Sequence, residues 1–468
     1  MQVINLISRF LTYNVAVFLL VLGVLIFVHE FGHFIFARLF GVRVLIFKLG
    51  FGRFVWSFKR GPTEYGVALF PVGGYVKMFG DPSEMEELKP EEVNPAERRE
   101  ALFAQPRWKQ LFIFAGGPLM NVVMAFVIAP VVYLVGIERP KAYLEPPVIG
   151  AVFPDSPAAK AGIEPGDRVL SVAGKPMDRF QDLIIEEAIN PKQTLVYRIR
   201  RGGKEFQVTL TLEEGKTEPV GTSGIMLPRI PAAIEQPLPG MPAAQAGFQK
   251  DDRILAINDT PVQYWDELRH LIEASQGEQI RFRVERGQSE LVLRVTPVKD
   301  PEENRFVIGI TPRIETVLVR TGLVEAIQRG SDDVAEAGVL TVAMLWKILS
   351  LQTSPRALGG PVMIAGTVGE AAQSSFANLV WIVVLISVSL GIFNILPLPP
   401  FDGGHILFTV IEAVLRREIN LKYKEAIFRV AMTFILVLFV LITVNDIMRY
   451  RQGIAGWFQE LAKGLGLL

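Results

Sequence analysis

Two histidines and one glutamate near the start of the chain have the spacing of a metal-dependent hydrolase. His29 and His33 flank the sequence Glu-Phe-Gly, so on a helix both imidazoles project from one face about one turn apart. Such a pair supplies two of the ligands that a tetrahedral zinc ion needs. Glu30 stands beside them as a candidate general base for water, whose pKa zinc lowers to roughly 7. The motif therefore predicts zinc-dependent hydrolysis.

The surroundings of this motif favour a functional site over a pair of packed, hydrogen-bonded histidines. The motif lies in an apolar run from about residue 14 to residue 36, close to the ~20 residues that cross a bilayer as a helix. Ionisable groups inside a membrane span are costly and indicate function. Arg9 precedes the run, as a basic residue would in a signal peptide, but the run has no small-residue cleavage site. We therefore interpret the run as a retained span rather than a signal peptide.

A second segment offers the third protein ligand that a catalytic zinc ion requires. Residues 394–405 read Asn-Ile-Leu-Pro-Leu-Pro-Pro-Phe-Asp-Gly-Gly-His, in which three prolines interrupt an apolar run and Asp402 is the only carboxylate. Irregular backbone at membrane depth is tolerated where it is buried in protein or lines a wet cavity. Because His33 and this segment both lie near the cytoplasmic end of their spans, we predict Asp402 as the third ligand. His405 is the alternative ligand, although a position beside the ligands suits it better.

The composition excludes several other kinds of chemistry. The chain has 468 residues and no cysteine, which rules out disulfides, thiol catalysis and cysteine-bound zinc. The 48 basic and 48 acidic residues give no net charge, so nothing argues for nucleic-acid binding. Histidine occurs four times, and the remaining one, His270, is predicted to be an ordinary surface residue.

Four apolar runs predict a polytopic α-helical membrane protein with four transmembrane helices. They cover about residues 14–36, 111–135, 376–396 and 427–444. Basic residues are concentrated in residues 38–109 and 416–429, and the positive-inside rule places both segments in the cytoplasm. The two termini and the long section from residue 139 to residue 375 then lie on the opposite side.

A soluble domain is duplicated between the second and third runs. Residues 157–170 are echoed by residues 242–255, and the match continues in register from Pro176 with Pro261 to Phe180 with Trp265. An offset of 85 residues held over that distance indicates two copies of one α+β domain. Each copy is predicted to contain a short helix, a strand, a longer helix and a pair of alternating strands. Peptide binding and steric control of access both remain open for each copy.

Other segments predict elements close to the site. Alternating residues 54–58, 65–70 and 75–78 indicate strands, with Gly73 and Gly74 as a turn or bulge. An edge of this sheet could pair with an unwound substrate, or the sheet could serve only as structure. Residues 322–351 are amphipathic and predict a pair of interfacial helices. For Asn121, an interhelical hydrogen bond is favoured over a contact with substrate or with a ligand.

Taken together, the motif of residues 29–33, the Asn-x-x-Pro-x-Pro-x-x-Asp-Gly element and the duplicated domain resemble the site-2 protease family of intramembrane zinc metalloproteases, specifically the bacterial RseP type with two PDZ domains. The resemblance covers nearly the whole chain. It implies one Zn2+ per chain with His29, His33 and Asp402 as ligands and Glu30 as the general base. The residues that it and the edge-strand hypothesis place near the substrate are Asn394, Pro397, Pro399, Gly73, Gly74 and Val76. One departure is Phe401, which stands where the family usually has leucine.

The same resemblance implies a fold, a location and substrates. The expected fold is a polytopic α-helical membrane protein with four transmembrane helices, a membrane-associated β-sheet and two tandem PDZ domains. The expected location is the bacterial inner membrane, with both termini and both PDZ domains in the periplasm. Expected substrates of this zinc metalloendopeptidase are single-span membrane proteins, namely a pre-trimmed anti-sigma factor of an envelope-stress response and remnant signal peptides. The PDZ domains are expected to take peptide ligands.

The expected boundaries follow the runs and the repeat. They are 1–37 for the first transmembrane helix, 38–110 for the cytoplasmic loop with the sheet, 111–137 for the second transmembrane helix, 138–224 and 225–313 for the two PDZ domains, 314–360 for the amphipathic helices, 361–402 for the third transmembrane helix, 403–426 for a cytoplasmic connection and 427–468 for the fourth transmembrane helix with the tail.

Two rival interpretations come from other classes of protein. A membrane scaffold could bind peptides and hold a structural metal, but Glu30 beside an apparent three-ligand site argues against it. A metal transporter should carry ionisable residues in several spans, and the second and fourth runs carry almost none.

Overall fold

The computed structural model describes residues 2–81, 94–214, 221–226, 230–238, 240–300, 305–350 and 359–449. The chain forms two compact units, each considered by itself. The helical unit comprises Met1–Ile137, Arg320–Leu349 and Leu358–Leu468, and the repeat unit comprises Glu138–Val319 with Ser350–Ala357.

The helical unit begins with a long helix and a folded sheet. Helix α1 spans Gln2–Leu39 and is followed by strands β1 (Val44–Arg60) and β2 (Thr63–Met78). Residues 44–49 of β1 are opposite residues 74–78 of β2 on one side and opposite residues 64–67 on the other. Residues 54–60 are opposite residues 63–68. The segment 74–78, called the edge segment below, is therefore an outer edge of this sheet among the described residues. The three stretches predicted as strands all lie within β1 and β2.

A central helix follows the sheet after two short turns. Helix α2 covers Pro95–Arg98, a 3-10 turn covers Leu102–Ala104, and helix α3 runs over Arg107–Val135 with Pro118 and Pro130 in its interior. Glycines allow α1 and α3 to approach each other closely. A Cβ atom built on Gly32 would lie 2.1 Å from the carbonyl oxygen of Gly116, so only glycine fits at residue 32.

The repeat unit contains two copies of one arrangement. The first copy and its leading strand consist of β3 (Ile137–Pro140), α4 (Lys141–Leu144), β4 (Ala151–Val152), α5 (Pro157–Lys160), β5 (Arg168–Val172), β6 (Lys175–Pro176), α6 (Phe180–Ala188), β7 (Thr194–Arg201), β8 (Lys204–Thr211), β9 (Glu213–Glu214), β10 (Gly221–Thr222) and β11 (Ile225–Met226). The second copy and its closing strand consist of β12 (Ile234–Pro237), α7 (Pro242–Gln245), β13 (Arg253–Ile257), β14 (Thr260–Pro261), α8 (Trp265–Ala274), β15 (Ile280–Arg286), β16 (Ser289–Val295), β17 (Val298–Asp300), β18 (Arg305–Val307), β19 (Ile310–Pro312) and β20 (Thr316–Val319).

The duplication extends to sheet order and to single ion pairs. The four-stranded sheets have the orders β6-β5-β7-β8 and β14-β13-β15-β16, which are equivalent. In the first copy Arg201 donates from Nε to Asp167 at 2.6 Å, and in the second Arg286 donates from Nε to Asp252 at 2.7 Å. Both aspartates are fully buried. The repeat predicted from sequence is thus confirmed as a repeat of structure, and each copy contains the predicted short helix, strand, longer helix and pair of alternating strands.

Five helices complete the helical unit. They are α9 (Leu323–Leu349), α10 (Pro361–Ser374), α11 (Phe376–Ile395), α12 (Asp402–Leu415) and α13 (Leu421–Arg449). The sequence predicted a pair of helices over residues 322–351, whereas α9 is one continuous helix over nearly all of that stretch. No proline interrupts it, and its glycine at residue 330 is used for packing: a Cβ atom there would lie 2.8 Å from the backbone nitrogen of Pro130.

Four helices of the described residues are long and apolar enough to cross a membrane. They include Tyr13–Leu39, Arg107–Val135, Phe376–Ile395 and Lys422–Val444. The four predicted runs fall on these helices, so the prediction of four candidate transmembrane helices is confirmed by length and composition.

A buried carboxylate joins three of these elements. Glu412 of α12 is 4% exposed, and its side chain lies 3.1 Å from Arg107 Nη1 of α3 and 2.5 Å from Lys424 Nζ of α13. Glu412 also accepts a hydrogen bond from the backbone N–H of Ile419 at 3.0 Å. Two cations and an amide therefore neutralise this carboxylate where α3, α12 and α13 meet.

Candidate metal centre and active site

His29, His33 and Asp402 come together although Asp402 follows His33 by 369 positions in the sequence. Asp402 Oδ2 lies 3.0 Å from His29 Nε2, and Asp402 Oδ1 lies 3.4 Å from His33 Nε2. The two Nε2 atoms are 3.3 Å apart. The predicted ligands therefore converge on one point.

Helix α3 supplies the open space and the hydrogen bonds that orient the histidines. A Cβ atom on Gly117 would lie 2.5 Å from His33 Nε2 and 2.6 Å from His29 Nε2, so the absence of a side chain leaves room beside both ligand atoms. His33 Nδ1 lies 2.8 Å from the carbonyl oxygen of Ile113 and donates to it. The other nitrogen of His33 is then free to bind a metal.

Asp402 is positioned by the break between α11 and α12. The prolines after Ile395 stop α11, and Asp402 is the first residue of α12. The following glycine is needed for this fold, because a Cβ atom on Gly403 would lie 2.1 Å from the carbonyl oxygen of Leu396. The start of α12 therefore lies directly against the end of α11, which brings the carboxylate to the histidines.

Glu30 lies between the ligands and the edge segment of the sheet. The backbone N–H of Val76 donates a hydrogen bond to its carboxylate. A Cβ atom on Gly74 would lie 2.5 Å from Glu30 Cγ, so glycine at this position lets the strand approach the glutamate. The sheet thus holds the predicted general base beside the ligand atoms.

The three groups fit a zinc ion. Ligands that lie 2.0–2.1 Å from a tetrahedral zinc are about 3.3 Å from one another, which matches the separations of 3.0, 3.3 and 3.4 Å found here. Asp402 Oδ2 is buried and accepts no hydrogen bond among the described residues. Two imidazoles and one carboxylate form a donor set typical of catalytic zinc, which keeps a further position open.

The other predicted site residues lie around this centre without forming part of the ligand cluster. Asn394 donates from Nδ2 to the carbonyl oxygen of Leu390 in its own helix at 3.0 Å. Pro397 is exposed and Pro399 is buried in the connection to α12. Gly73, like Gly74 and Val76, is buried in the sheet. Their predicted contacts with substrate stay predictions.

His405 is not part of the ligand cluster, in line with the position that the sequence favoured for it. Its ring stacks on Phe114 with centroids 5.0 Å apart and lies 5.0 Å from the ring of Phe428. His270 is exposed on α8, as predicted.

Two residues of α3 complete the site, of which Gly117 was not predicted from the sequence. For Asn121 the sequence favoured an interhelical hydrogen bond over a contact with a ligand, and the structure has both in one: Asn121 is fully buried, and its Nδ2 atom lies 3.2 Å from Nδ1 of the ligand His29 on α1. Gly117 shapes the space at the ligand atoms. The available signal for both was the sequence Gly-Gly-Pro-Leu-Met-Asn at residues 116–121, since small and polar residues inside an apolar helix usually mark a close contact.

Comparison with known proteins supports the same chemistry. The sequence model of peptidase family M50 matches residues 17–438. Regulator of sigma-E protease RseP of Escherichia coli (strain K12) is 32% identical over 457 residues, covering 93% of this chain and 99% of that protein. Regulator of sigma E protease of Haemophilus influenzae is 30% identical, covering 92% of this chain and 98% of that protein. A putative zinc metalloprotease of Vibrio cholerae is 31% identical, covering 93% and 99%.

Among solved structures, a PDZ domain of an SdrC-like protein from Listeria monocytogenes overlaps with 17% of this chain and 84% of that domain, at 17% identity and a TM-score of 0.16. This overlap is too small to assign a fold.

The family match extends from the first apolar helix into the last one and contains the two histidines, the glutamate and the aspartate. Because relatives named as zinc metalloproteases cover the same length, the metal centre and the similarity point to one activity. The chain belongs to peptidase family M50 and is an intramembrane zinc metalloprotease of the site-2 protease type.

Proposed function

We propose that this protein binds one zinc ion per chain through His29, His33 and Asp402 and acts as an endopeptidase on single-span membrane proteins. The observation that carries the proposal is the geometry of the centre. Three ligand atoms lie 3.0–3.4 Å from one another, and Glu30 stands between them and an outer edge of a sheet. A merely structural metal would not need a carboxylate at that place.

The residues divide the chemistry between them. A bound zinc ion supplies Lewis acidity, which makes water a better nucleophile and polarises the scissile carbonyl group. Glu30 takes the proton from the attacking water and returns it to the nitrogen of the leaving amine. The N–H of Val76 holds the Glu30 carboxylate in place while it does so.

The edge segment is suited to present the substrate. Peptides often bind by adding a strand to the edge of a sheet, which keeps the scissile bond extended. Here Gly74 and Val76 lie in the edge segment next to Glu30, and Gly73 directly precedes it. A substrate strand lying along this segment would have its scissile bond beside Glu30.

The connection between α11 and α12 forms a second contact with the substrate in this proposal. Asn394, Pro397 and Pro399 immediately precede Asp402, and proline leaves carbonyl groups without helical partners. Carbonyl and amide groups in this connection could hold an unwound segment that has left its own helix.

The distribution of charge supports a location in the bacterial inner membrane. Basic residues are concentrated in the loop around β1 and β2 and in the connection before α13, which places both in the cytoplasm. The repeat unit and both termini then lie in the periplasm, and the sheet lies against the membrane at the depth of the metal centre.

The substrates that fit this arrangement are membrane anchors whose outer part has been removed. Two of the relatives are named as regulators of sigma E, which supports a pre-trimmed anti-sigma factor as one substrate of this chain. Remnant signal peptides are a second substrate class, because they are single apolar segments without an outer domain. The two repeats act as tandem PDZ domains that restrict access.

We infer that the two repeats differ in their capacity for peptides. In the first, the carboxylate of Glu187 accepts hydrogen bonds from Tyr197 OH at 2.9 Å and from Ser223 Oγ at 2.7 Å. These bonds tie α6 to the chain after β10. The residues 85 positions later in the second repeat are all apolar: Ile272, Phe282 and Ile308.

The two repeats therefore differ in the groove between the longer helix and the strand that follows it, which is α6 with β10 in the first repeat and α8 with β18 in the second. In the first repeat a Cβ atom on Gly221 would lie 2.1 Å from the carbonyl oxygen of Glu187, so strand and helix are in direct contact. In the second repeat Phe306 has the equivalent position, and a cavity of about 300 Å³ lies between α8 and β18. Its apolar lining includes Leu238, Met241, Trp265, Leu268, Ile272 and Ile308. An extended peptide with apolar side chains fits the second repeat.

The deciding experiment measures cleavage and zinc together. The purified chain is incubated with a single-span substrate that lacks its outer domain, beside the variants Glu30→Gln and Glu370→Gln. Glu370 is exposed on α10 and serves as the matched control. We expect Glu30→Gln to lose cleavage and keep about one zinc ion per chain, with the control unchanged.

The other outcomes are equally informative. A wild-type chain that binds zinc and cuts nothing would favour the alternative interpretation, a membrane scaffold that holds a structural metal. Equal cleavage by wild type and Glu30→Gln would mean that the active site lies elsewhere.

A further inference from the structure

The two ligand histidines need the same protonation pattern. Both Nε2 atoms face Asp402, so a metal ion at this point binds the Nε2 lone pairs, and the single proton of each neutral imidazole must be on Nδ1. Ligand histidines normally donate this proton to a carbonyl, a carboxylate or water, which fixes the ring. His33 does so by donating to the carbonyl oxygen of Ile113 at 2.8 Å.

The side-chain amide of Asn121 is the hydrogen-bond partner that the structure gives to His29 Nδ1. Its nitrogen is 3.2 Å away, and its Oδ1 atom is buried with no partner among the described residues. Two N–H groups cannot donate to each other. Turning the amide by 180° resolves the conflict, because oxygen and nitrogen have nearly the same shape and their assignment depends on the hydrogen bonds.

We propose that Asn121 is a positioning residue for the metal centre: its Oδ1 atom accepts the Nδ1 proton of His29 and thereby turns the Nε2 lone pair toward His33 and Asp402. The inference rests on the proposed zinc binding. In this arrangement each ligand histidine donates to one acceptor on α3. The acceptor is a backbone carbonyl for His33 and a side-chain amide for His29.

The backbone of Asn121 is held in place independently of its side chain. Ser387 of α11 donates from Oγ to the Asn121 carbonyl oxygen at 2.8 Å. One turn before it, Pro118 lies against α11, where a Cβ atom on Gly391 would be 3.0 Å from the Pro118 carbonyl oxygen. Asn121 therefore sits at a fixed contact of α3 with α11 and can hold a ring on α1 from there.

The test compares zinc affinities of the full-length chain in detergent, measured by competition with a chelator. Asn121→Leu keeps the size of the side chain and removes the acceptor, and we expect it to weaken zinc binding about 10- to 100-fold. Asn121→Asp keeps an acceptor at the same place, and we expect its affinity to stay within a few-fold of wild type or to rise. The control Gly366→Ala on α10, where an added Cβ atom would meet nothing within 4 Å, should leave the zinc affinity unchanged.

Two outcomes would overturn the inference. If folded Asn121→Leu binds zinc as tightly as wild type and loses only thermal stability, Asn121 merely joins helices. If Asn121→Asp weakens zinc as much as Asn121→Leu, the amide acts through its N–H group and not through its oxygen. The zinc readout is separate from hydrolysis, so normal zinc binding without cleavage would contradict the proposed function alone.

Discussion

Gly117 and His33 face each other across the contact of α3 with α1 with no space for a side chain between them. A Cβ atom on Gly117 would lie 2.5 Å from His33 Nε2, the atom that points at the other ligands. On the side of α3, the metal centre is therefore bordered by backbone atoms and not by a side chain. How closely α1 and α3 pack sets the distance between this backbone and the ligands.

Replacing Gly117 by alanine should weaken zinc binding without unfolding the helix. The added methyl group occupies the space beside both Nε2 atoms, and alanine is the better helix former. We expect zinc affinity to fall by about tenfold or more, with a corresponding loss of cleavage. Zinc affinity, measured by competition with a chelator, and thermal unfolding of the purified variant report the two effects separately.

The matched control is Gly366→Ala on α10, where an added Cβ atom would have no neighbour within 4 Å. It should bind zinc and cut substrate like wild type. A zinc affinity of Gly117→Ala equal to that of wild type would show that α3 can move away and that the close contact is not required.

Gly74→Ala should separate catalysis from metal binding. The methyl group would lie 2.5 Å from Glu30 Cγ and push the general base away, while the ligands on α1 and α12 keep their neighbours. A displacement of about 1 Å costs on the order of 10²-fold in rate. We expect a fall in kcat of that size with zinc still bound.

Gly322→Ala provides the comparison for this variant, since a Cβ atom at residue 322 meets nothing within 4 Å. Loss of zinc together with activity in Gly74→Ala would mean that the strand supports the ligands and not only the glutamate.

The duplicated ion pair should make the two repeats respond alike to the same change. Arg201→Leu leaves the fully buried Asp167 without its partner, and Arg286→Leu does the same to Asp252. Removing one partner of a buried pair costs about 3 kcal/mol in the free energy of unfolding. Hydrogen exchange of peptides from each repeat in the full-length chain should show a loss confined to the altered copy; equal loss in both copies would mean that they unfold as one.

The cost of Arg201→Leu should depend on pH. Burial favours the protonated form of Asp167, but the hydrogen bonds from Arg201 and from the N–H of Glu164 outweigh it and lower the pKa of Asp167 below its usual range. A lowered pKa contributes stability that is present above the ordinary value of about 4 and is lost as the pH falls through the lowered value. The difference between wild type and Arg201→Leu should therefore be largest near pH 7 and shrink below about pH 4. A difference that grows on acidification would contradict this assignment.

A charge in the groove of the second repeat should abolish peptide binding there. Met241 lines the cavity beside α8, whose lining is mostly apolar but also includes Arg269, Glu273 and Arg305, and Met241→Asp replaces an apolar contact with a carboxylate. We expect a peptide with apolar side chains to bind the wild-type chain at least about tenfold more tightly than this variant, as measured by fluorescence anisotropy. The control is Ser156→Asp at the equivalent position of the first repeat, where Ser156 caps α5 and aspartate can do the same. Equal loss in both variants would contradict the difference between the repeats.

The parts of the site that could be predicted from the sequence are those that depend on the spacing or composition of one short segment. The spacing of His29 and His33 needs only a helix, and Asp402 could be found because it is the only carboxylate in a proline-broken segment at the right depth. The four apolar runs and the repeat were predictable for the same reason, since each depends on composition or on an offset within the chain.

The remaining features depend on which faces of distant helices meet. Nothing in the order of residues states that Gly117 faces His33 or that Asn121 reaches His29, because both contacts arise from the crossing of α1 and α3. The amphipathic pattern of α9 could not reveal one helix instead of two, since the apolar spacing is the same for both. The hydrogen bonds of Glu187 likewise could not be predicted from the sequence, because they form only where α6 meets the chain after β10.

The junction at Glu412 gives the last helix a role besides crossing the membrane. Lys424 of α13 supplies one of the two cations that neutralise this buried carboxylate. A chain shortened before residue 421 would keep the other three candidate transmembrane helices and all three metal ligands, yet it would lose one of the two cations that neutralise Glu412. The final helix thus contributes a charge that stabilises the contact of α3 with α12. Its removal would destabilise the helices that remain as well as shorten the chain.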